Sequence, residues 1–222
     1  MIHLNNISKQ FWTPAGPKII LKETDMIFPS GVSVGLLGRN GAGKSTLMDM
    51  IGGTMKPDAG TIDVTGTVSW PVGFKGSFHR ELTGAQNTRF IARVYGADTD
   101  SLLEYVKDFA ELGSHLYLPV RSYSSGMRAR LAFGVSIGIP FDTYLVDEVT
   151  AVGDAAFKRR CRLAFMERME NAGAVVVTHS MRQLRKLCEA GAVLEDGVLT
   201  YYDDINEAIA VHHDNMGSDE DE

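Results

Sequence analysis

The sequence predicts an α/β fold, and three observations point to it. An apolar run over residues 32–37 leads directly into a glycine-rich loop, and a helical pattern follows over 45–51. Two later apolar runs, 143–146 and 174–177, have the length and composition of buried parallel strands, and each ends in polar residues. Between them and the loop, residues 77–139 carry apolar side chains at helical spacing, which indicates an inserted helical segment.

The composition is typical of one globular domain. With 222 residues, of which 44% are apolar and 23% charged, the chain can bury a core without disulfides. A net charge of −6 argues against a protein that coats nucleic acid. Cys161 and Cys188 lack the spacing of a metal site, so we expect ordinary thiols. The first residues do not read as a signal peptide, and no apolar stretch is long enough for a membrane span.

Short elements are predicted on both sides of the glycine-rich loop. Strand-like alternation with turn residues at 14–17 predicts an antiparallel layer before the loop. Asp196-Gly197 between two apolar runs predicts a hairpin near the end. The predicted strands are 2–4 with Ile7, 19–21, 26–28, 61–64, 67–70, 193–195 and 198–201, and the predicted helices include 88–95, 102–112 and 128–136.

The glycine-rich loop fits the phosphate-binding pattern G-x-x-x-x-G-K-[ST]. Its residues are Gly38, Arg39, Asn40, Gly41, Ala42, Gly43, Lys44 and Ser45, with Thr46 next. Glycines let successive backbone N–H groups turn toward one anion, and the helix that follows points its positive end the same way. Lys44 reaches the outer phosphates and the Ser45 hydroxyl ligates Mg²⁺, so the loop predicts binding of ATP or another nucleoside triphosphate.

Polar groups at the ends of the two later strands predict the remaining chemistry. Asp147 fits the acid on the Mg²⁺ side, and Glu148 fits a general base that polarises the attacking water. The alternative is an acidic pair that caps a turn. His179 ends the next strand and would emerge at the same sheet edge, although a histidine there is often structural.

Two further candidates stay open on the residues alone. Ser124 or Ser125 caps a predicted helix, which makes either a plain N-cap or a second anion-binding device. Phe11, at the end of the first strand, could stack on an adenine ring or simply pack at an edge, and the residues alone favour the second.

Together these motifs resemble the nucleotide-binding subunits of ABC transporters. The loop, the signature Tyr123-Ser124-Ser125-Gly126-Met127, the acid pair, the Asp-loop ending in Asp154 and the switch His179 occur in that family's order. The resemblance implies two chains facing head to tail, with Ser124 and Gly126 serving the γ-phosphate of the opposite subunit. It also implies that Ser125 and Asp154 are among the nucleotide-binding residues. It also implies that Phe11 stacks on adenine. We therefore expect a P-loop NTPase (ABC ATPase) core with a mixed sheet, an antiparallel N-terminal layer and an inserted helical subdomain.

Within that family the chain looks like the capsular polysaccharide export ATPases. Arg39-Asn40 in the loop, the segment 70–74, the signature with Ser125 and Met127, and the segment 149–154 carry this narrower likeness. It implies a homodimer on an integral-membrane permease at the cytoplasmic face of the inner membrane. ATP and Mg²⁺ would drive export of a polysaccharide that the permease handles, without direct nucleic-acid contact. The coupling-loop glutamine of the family has no counterpart between 67 and 80, so segment 70–74 is expected to contact the permease without ligating metal.

The predicted organisation is one ATPase domain over 1–211, with a core of 1–76 and 140–211, a helical subdomain of 77–139 and an acidic, disordered tail of 212–222. Three alternatives stay open. One is a soluble ABC ATPase that acts on nucleic acid or ribosomes. Another is an exporter subunit for a different glycan, such as O-antigen or teichoic acid. The third is an ATP-gated binding module that does not hydrolyse ATP.

Overall fold

The computed structural model of the chain describes residues 1–72, 78–147 and 154–217. The elements in chain order are β1 (Ile2–Thr13), β2 (Gly16–Phe28), β3 (Ser33–Leu37), α1 (Lys44–Ile51), β4 (Ala59–Val64), α2 (Gly84–Val94), α3 (Thr99–Ala110), α4 (Ser125–Gly138), β5 (Thr143–Asp147), α5 (Ala155–Met169), β6 (Gly173–Val177), α6 (Met181–Leu187), β7 (Ala190–Glu195), β8 (Val198–Tyr202) and α7 (Ile205–Gly217). Two 3-10 turns, Gly113–Tyr117 and Val120–Ser122, precede α4.

The chain divides into two compact units. The first comprises Met1–Pro71, Phe141–Glu148 and Asn171–Glu222, and the second comprises Val72–Pro140 and Val149–Glu170. Both sheets belong to the first unit, while helices α2 to α5 belong to the second. The predicted boundaries of the helical subdomain stay a prediction.

The first unit contains the predicted antiparallel layer. β1 and β2 form a long hairpin whose register places Phe11 opposite Lys18 and Thr13 opposite Gly16. β4 pairs antiparallel with the other edge of β1, which gives the order β2-β1-β4. Irregularities in β1 between Leu4 and Gln10 change which face each side chain takes, so simple alternation along the sequence does not fix the faces.

The second sheet positions the candidate site. Its order is β5-β6-β3-β7-β8, with β3 parallel to both β6 and β7 and with β5 parallel to β6. β8 returns antiparallel to β7 through Asp196 and Gly197, both with positive φ, as the predicted hairpin requires. Because parallel strands share one carboxyl edge, residues that end β3, β5, β6 and β7 gather there.

The core of the first unit lies under both sheets. Leu4 and Ile7 of the antiparallel layer, Leu36 of β3 and Leu47 of α1 are all at most 1% exposed and belong to one apolar cluster. Burying each such side chain stabilises the fold by about 1.5–3 kcal/mol. The cluster therefore holds the end of β3 and α1 in place, and with them the two ends of the loop that joins them.

The second unit is held by aromatic side chains. The Phe109 ring stacks on Phe133 with centroids 5.8 Å apart and meets Phe157 edge-on at 5.6 Å. These rings join α3, α4 and α5. The buried Tyr123 hydroxyl donates a hydrogen bond of 2.6 Å to the His115 carbonyl and so anchors the residue that precedes α4.

Two local predictions are wrong. Residues 67–70 make one bridge, between Val68 and Thr143, rather than a strand, because the Ser69 hydroxyl accepts the Leu145 amide at 2.9 Å where a backbone carbonyl would. The disordered tail is predicted to begin at residue 212, but α7 continues to Gly217 and buries His212. Residues 218–222 lie outside the described ranges.

Both cysteines are free and buried, as expected of ordinary thiols. Burial raises the pKa of Cys161 to about 12, and burial also raises the pKa of Cys188 to about 12. Thiols of this kind react slowly, because the thiolate is the reactive form. Within the described residues, no helix is both long enough and apolar enough to cross a membrane.

Candidate nucleotide site

A cavity of about 640 Å³ lies at the carboxyl edge of the parallel strands in the first unit. Its lining collects residues that are far apart in sequence: Phe11, Lys18, Ile20, Asn40, Gly41, Gly43, Lys44, Ser45, Thr46, Asp147, Val177 and His179. Most of the predicted site residues in this unit are among them. A volume of this size suits a small-molecule ligand.

The start of α1 is shaped to leave backbone amides open. Gly43 is the N-cap with φ of 111°, and the structure shows no side-chain cap there. A Cβ on Gly43 would stand 2.3 Å from the Ile20 Cγ2 atom, so glycine is needed for both its dihedral and its lack of volume. The first amides of α1 then carry the positive end of the helix dipole toward the cavity, which favours an anion.

Lys44 brings a cation to the same place. Its Nζ donates to the carbonyl oxygens of Gly38 at 2.6 Å and Arg39 at 2.9 Å. Burial lowers the pKa of Lys44, and the carboxylates of Asp147 and Glu195 act in the opposite direction. A partly desolvated ammonium attracts a phosphate oxygen more strongly than one in open water.

The residues around Lys44 fit a magnesium ion. The Ser45 hydroxyl and the Asp147 carboxylate line the same cavity, and hard oxygen ligands are those that Mg²⁺ prefers. The described residues hold no cluster of three or more His, Cys, Asp or Glu side chains suited to a metal. Two protein oxygens are enough when phosphates and water complete the octahedron, which is how Mg²⁺ is commonly bound beside a nucleotide.

Phe11 and His179 lie on the walls of the cavity. The Phe11 side chain is 38% exposed, and the Lys9 Nζ sits 5.4 Å from its ring centroid. Lys9 in turn pairs with Asp58 at 2.6 Å, which joins β1 to the residue before β4. The structure thus places both Phe11 and His179 on the cavity wall, His179 two residues after the end of β6, while stacking of Phe11 on adenine stays a prediction.

Three lining residues were missed by sequence reasoning. Lys18 and Ile20 come from β2, and Val177 ends β6. Only Val177 carried a sequence signal, as the last apolar residue before Thr178 and His179. The two β2 residues reach the cavity through the hairpin register, which no local pattern specifies.

The signature residues belong to the second unit. Ser124 is the N-cap of α4, and its Oγ accepts the Met127 amide at 3.1 Å. This confirms the predicted cap and selects Ser124 over Ser125. Both serines are exposed, so the start of α4 presents hydroxyls and backbone N–H groups at the surface of this unit.

Asp154 caps α5 in the second unit and is tied to α4. Its Oδ1 accepts the Phe157 amide at 2.9 Å, and its Oδ2 pairs with the Arg130 guanidinium at 2.8 Å. The Phe157 amide, and then Arg130, lower the pKa of Asp154. Arg130 also stacks over the Phe157 ring at 4.4 Å, so the first turn of α5 is fixed against α4.

The far ends of these helices are joined as well. Arg168 of α5 donates from Nε to the Ile137 carbonyl at 2.8 Å, near the end of α4. Glu111 pairs with Arg160 at 2.6 Å and with Arg130 at 3.5 Å, which adds the end of α3. These contacts join α4 and α5 near both of their ends.

Three predicted pieces lie outside the part of the chain that the structure describes. They are Glu148, the proposed general base, residues 151–153 of the Asp-loop, and residues 73 and 74 of segment 70–74. Trp70 is 9% exposed and its ring meets Phe141 edge-on at 5.6 Å, so this side chain packs inside the first unit. The permease contact expected of segment 70–74 stays a prediction.

Comparison with known proteins agrees with the geometry. The family described as ABC transporter matches residues 21–151, more than half of the chain. The polysialic acid transport ATP-binding protein KpsT of Escherichia coli is 44% identical over 94% of this chain and 95% of its own. The capsule polysaccharide export ATP-binding protein CtrD of Neisseria meningitidis serogroup B is 41% identical over 94% and 96%.

A dimeric ATP-binding cassette solved in a post-hydrolysis state with ADP and Pi shares the fold. Its TM-score is 0.73 at 21% identity, over 89% of this chain and 95% of that one. This confirms the predicted α/β P-loop fold. The chain therefore belongs to the ABC transporter family, and it is an ATPase of that family.

Proposed function

We propose that the chain is the ATP-hydrolysing subunit of a capsular polysaccharide exporter. The observation that carries the proposal is the single cavity that collects the phosphate loop, Asp147 and His179. Relatives named for polysialic acid transport and capsule polysaccharide export, 44% and 41% identical over nearly their whole length, support the choice of cargo.

The proposed chemistry follows from the lining residues. Lys44 and the open amides at the start of α1 stabilise the negative charge that spreads over the transferred phosphoryl group. Ser45 and Asp147 would hold Mg²⁺, which would supply positive charge to offset the negative charge of the phosphates. Glu148 accepts the proton of the attacking water, and His179 contacts the γ-phosphate from β6.

We place the complete site between two copies of the chain. The start of α4, with Ser124, Ser125 and Gly126, would meet the γ-phosphate held by the loop of the other copy. The exposed hydroxyls and N–H groups of that helix start support this role, because they form an anion-binding surface on a unit separate from the loop. Asp154 would contribute to this site by holding α4 of its own chain in place through Arg130.

The permease would dock on the second unit. Phe90 and Val94 of α2 and Tyr117 and Leu118 beside the 3-10 turn are all exposed apolar side chains. Exposed apolar clusters commonly mark protein interfaces. Docking there would hold the chain at the cytoplasmic face of the inner membrane and leave the polysaccharide to the permease.

A mixed-dimer experiment tests the shared site. One chain carries Lys44→Ala and the other carries Ser124→Arg, and each homodimer is inactive because both of its sites lack one half. The mixed dimer contains one site with both changes and one site with neither, so part of the ATPase activity returns. If mixing restores no activity while wild-type chains mixed with either variant keep theirs, each site is built within one chain.

The choice of cargo has its own test. Deleting the gene in its native cell should remove polysaccharide from the cell surface and leave it inside the cell. The wild-type gene should restore surface polysaccharide, whereas the Lys44→Ala variant should not. An unchanged polysaccharide coat after deletion would contradict the proposed export.

A further inference from the structure

Lys18 lines the cavity but belongs to none of the sequence motifs described above. It lies on β2 directly opposite Phe11 of β1, and directly opposed residues of an antiparallel pair project from the same face of the sheet. Its side chain is exposed and lines the cavity. Its Nζ lies 3.8 Å from the position that a Cβ on Gly41 would occupy. The stem therefore begins beside the aromatic ring, and the ammonium ends beside the phosphate loop.

The lysines near this site differ in what they bind. Lys9 pairs with Asp58, and Lys44 donates to two carbonyl oxygens of the loop. Within the described parts of the chain, the Lys18 ammonium makes no hydrogen bond or ion pair, and the single carboxylate of the lining is Asp147. A cation set against the open amides of an anion-binding loop adds positive potential with no protein counter-charge of its own.

We propose that Lys18 binds the phosphate chain of the nucleotide, reaching it from β2 beside Gly41 of the loop. Lys44 approaches from the first turn of the helix, and Lys18 closes the outer side from β2. The inference rests on nucleotide binding at this cavity, as proposed above, and adds a contact that the loop sequence does not encode. The position of the ammonium beside Gly41, rather than over the Phe11 ring, favours phosphate over base.

The test compares nucleotides that differ in phosphate number. Lys18→Met removes the charge and keeps the length of the side chain, while Lys18→Arg keeps the charge. Lys22→Met is the matched control, because Lys22 is an exposed lysine of the same strand that does not line the cavity. Dissociation constants for ATP, ADP, AMP and adenosine are measured on the full chain at low and at physiological salt.

Lys18→Met is expected to weaken ATP and ADP binding by about threefold to tenfold at low salt, since a partly exposed charge pair is worth that order. The loss should shrink at higher salt because ions screen the contact. Adenosine binding should not change, Lys18→Arg should stay within about twofold of wild type, and Lys22→Met should match wild type.

Two results would overturn the inference. If Lys18→Met binds ATP and ADP like wild type while Lys44→Ala loses them, Lys18 has no part in phosphate binding. If Lys18→Met weakens adenosine as much as ATP, the lysine acts on the base or on the fold instead. If Lys44→Ala binds ATP as well as wild type does, nucleotide binding at this cavity is itself refuted. The two failures are therefore distinguishable.

Discussion

Helices α1 and α4 are both proposed to bind phosphate at their starts, but only α4 has a side-chain cap there. α1 starts at Gly43, where the structure shows no side-chain cap, so its amides are left for a ligand. α4 starts at Ser124, whose hydroxyl already accepts the Met127 amide. An uncapped start is costly unless something else satisfies the amides. The difference indicates that α1 is built to bind an anion strongly by itself, whereas α4 is stable alone and contributes a partial surface.

The strongest test of this contrast is to put alanine at one glycine in each helix start. Gly43→Ala combines a positive φ with a Cβ 2.3 Å from Ile20, so we expect unfolding free energy to fall by about 1–3 kcal/mol and ATP binding to weaken about tenfold or more. At Gly126 the added Cβ meets only the Ser124 Oγ, at 3.8 Å. Gly126→Ala should therefore fold at least as stably as wild type, with an unfolding free energy higher by up to about 1 kcal/mol.

Urea unfolding and equilibrium ATP binding on the two variants give the measurement. Gly126→Ala should bind ATP normally as a single chain and lose turnover, because its extra methyl stands where the other copy's nucleotide would approach. Normal ATP affinity in Gly43→Ala would show that the loop tolerates a side chain and that the contrast between the helices is misplaced.

A smaller effect is expected from the cap itself. Ser124→Ala removes the acceptor for the Met127 amide and should cost about 1 kcal/mol of unfolding free energy. It should also reduce turnover, because the hydroxyl is proposed to reach the other copy's γ-phosphate. Thr83→Ala is the matched control, since Thr83 caps α2 in a capping box with Gln86. It should cost similar stability with unchanged turnover; equal losses of turnover in both variants would reduce Ser124 to a structural cap.

The smallest effect concerns the protonation of Lys44. Its pKa is lowered by burial, so between that pKa and 10.5 the unfolded chain binds more protons and stability rises with pH. Relative to Lys44→Met, the unfolding free energy of wild type should rise through this alkaline window. Because the side chain is only half-buried, the rise should stay below about 1.4 kcal/mol per pH unit, the limit for one proton. Parallel stability curves for the two proteins would mean that Lys44 is not desolvated.

Sequence reasoning succeeded where the signal is local. The phosphate loop, the strand ends at Asp147 and Val177, and the Asp196-Gly197 hairpin depend on a few consecutive residues, because backbone dihedrals and strand length are local properties. The cap at Ser124 is local for the same reason. The α/β fold follows from the order of these pieces.

It failed where partners are distant in sequence. Lys18 reads as an ordinary surface lysine until the hairpin register sets it opposite Phe11. Residues 67–70 alternate like a strand, yet the Ser69 hydroxyl takes a ladder position that sequence periodicity cannot reveal. No local pattern marks Arg130, because its role depends on Asp154, 24 positions further on.

The contacts that join α4 to α5 have a practical consequence for spectroscopy. Since Arg130 and Arg168 tie the two helices near both ends, a probe on α5 follows the start of α4 without touching it. Leu163 is 56% exposed and would accept a spin label through a substituted cysteine, while the native Cys161 and Cys188 stay silent because they are buried thiols with pKa values of about 12. Distances between the labels on two copies of the chain would then report, during turnover, how far apart the two copies of Ser124 stand.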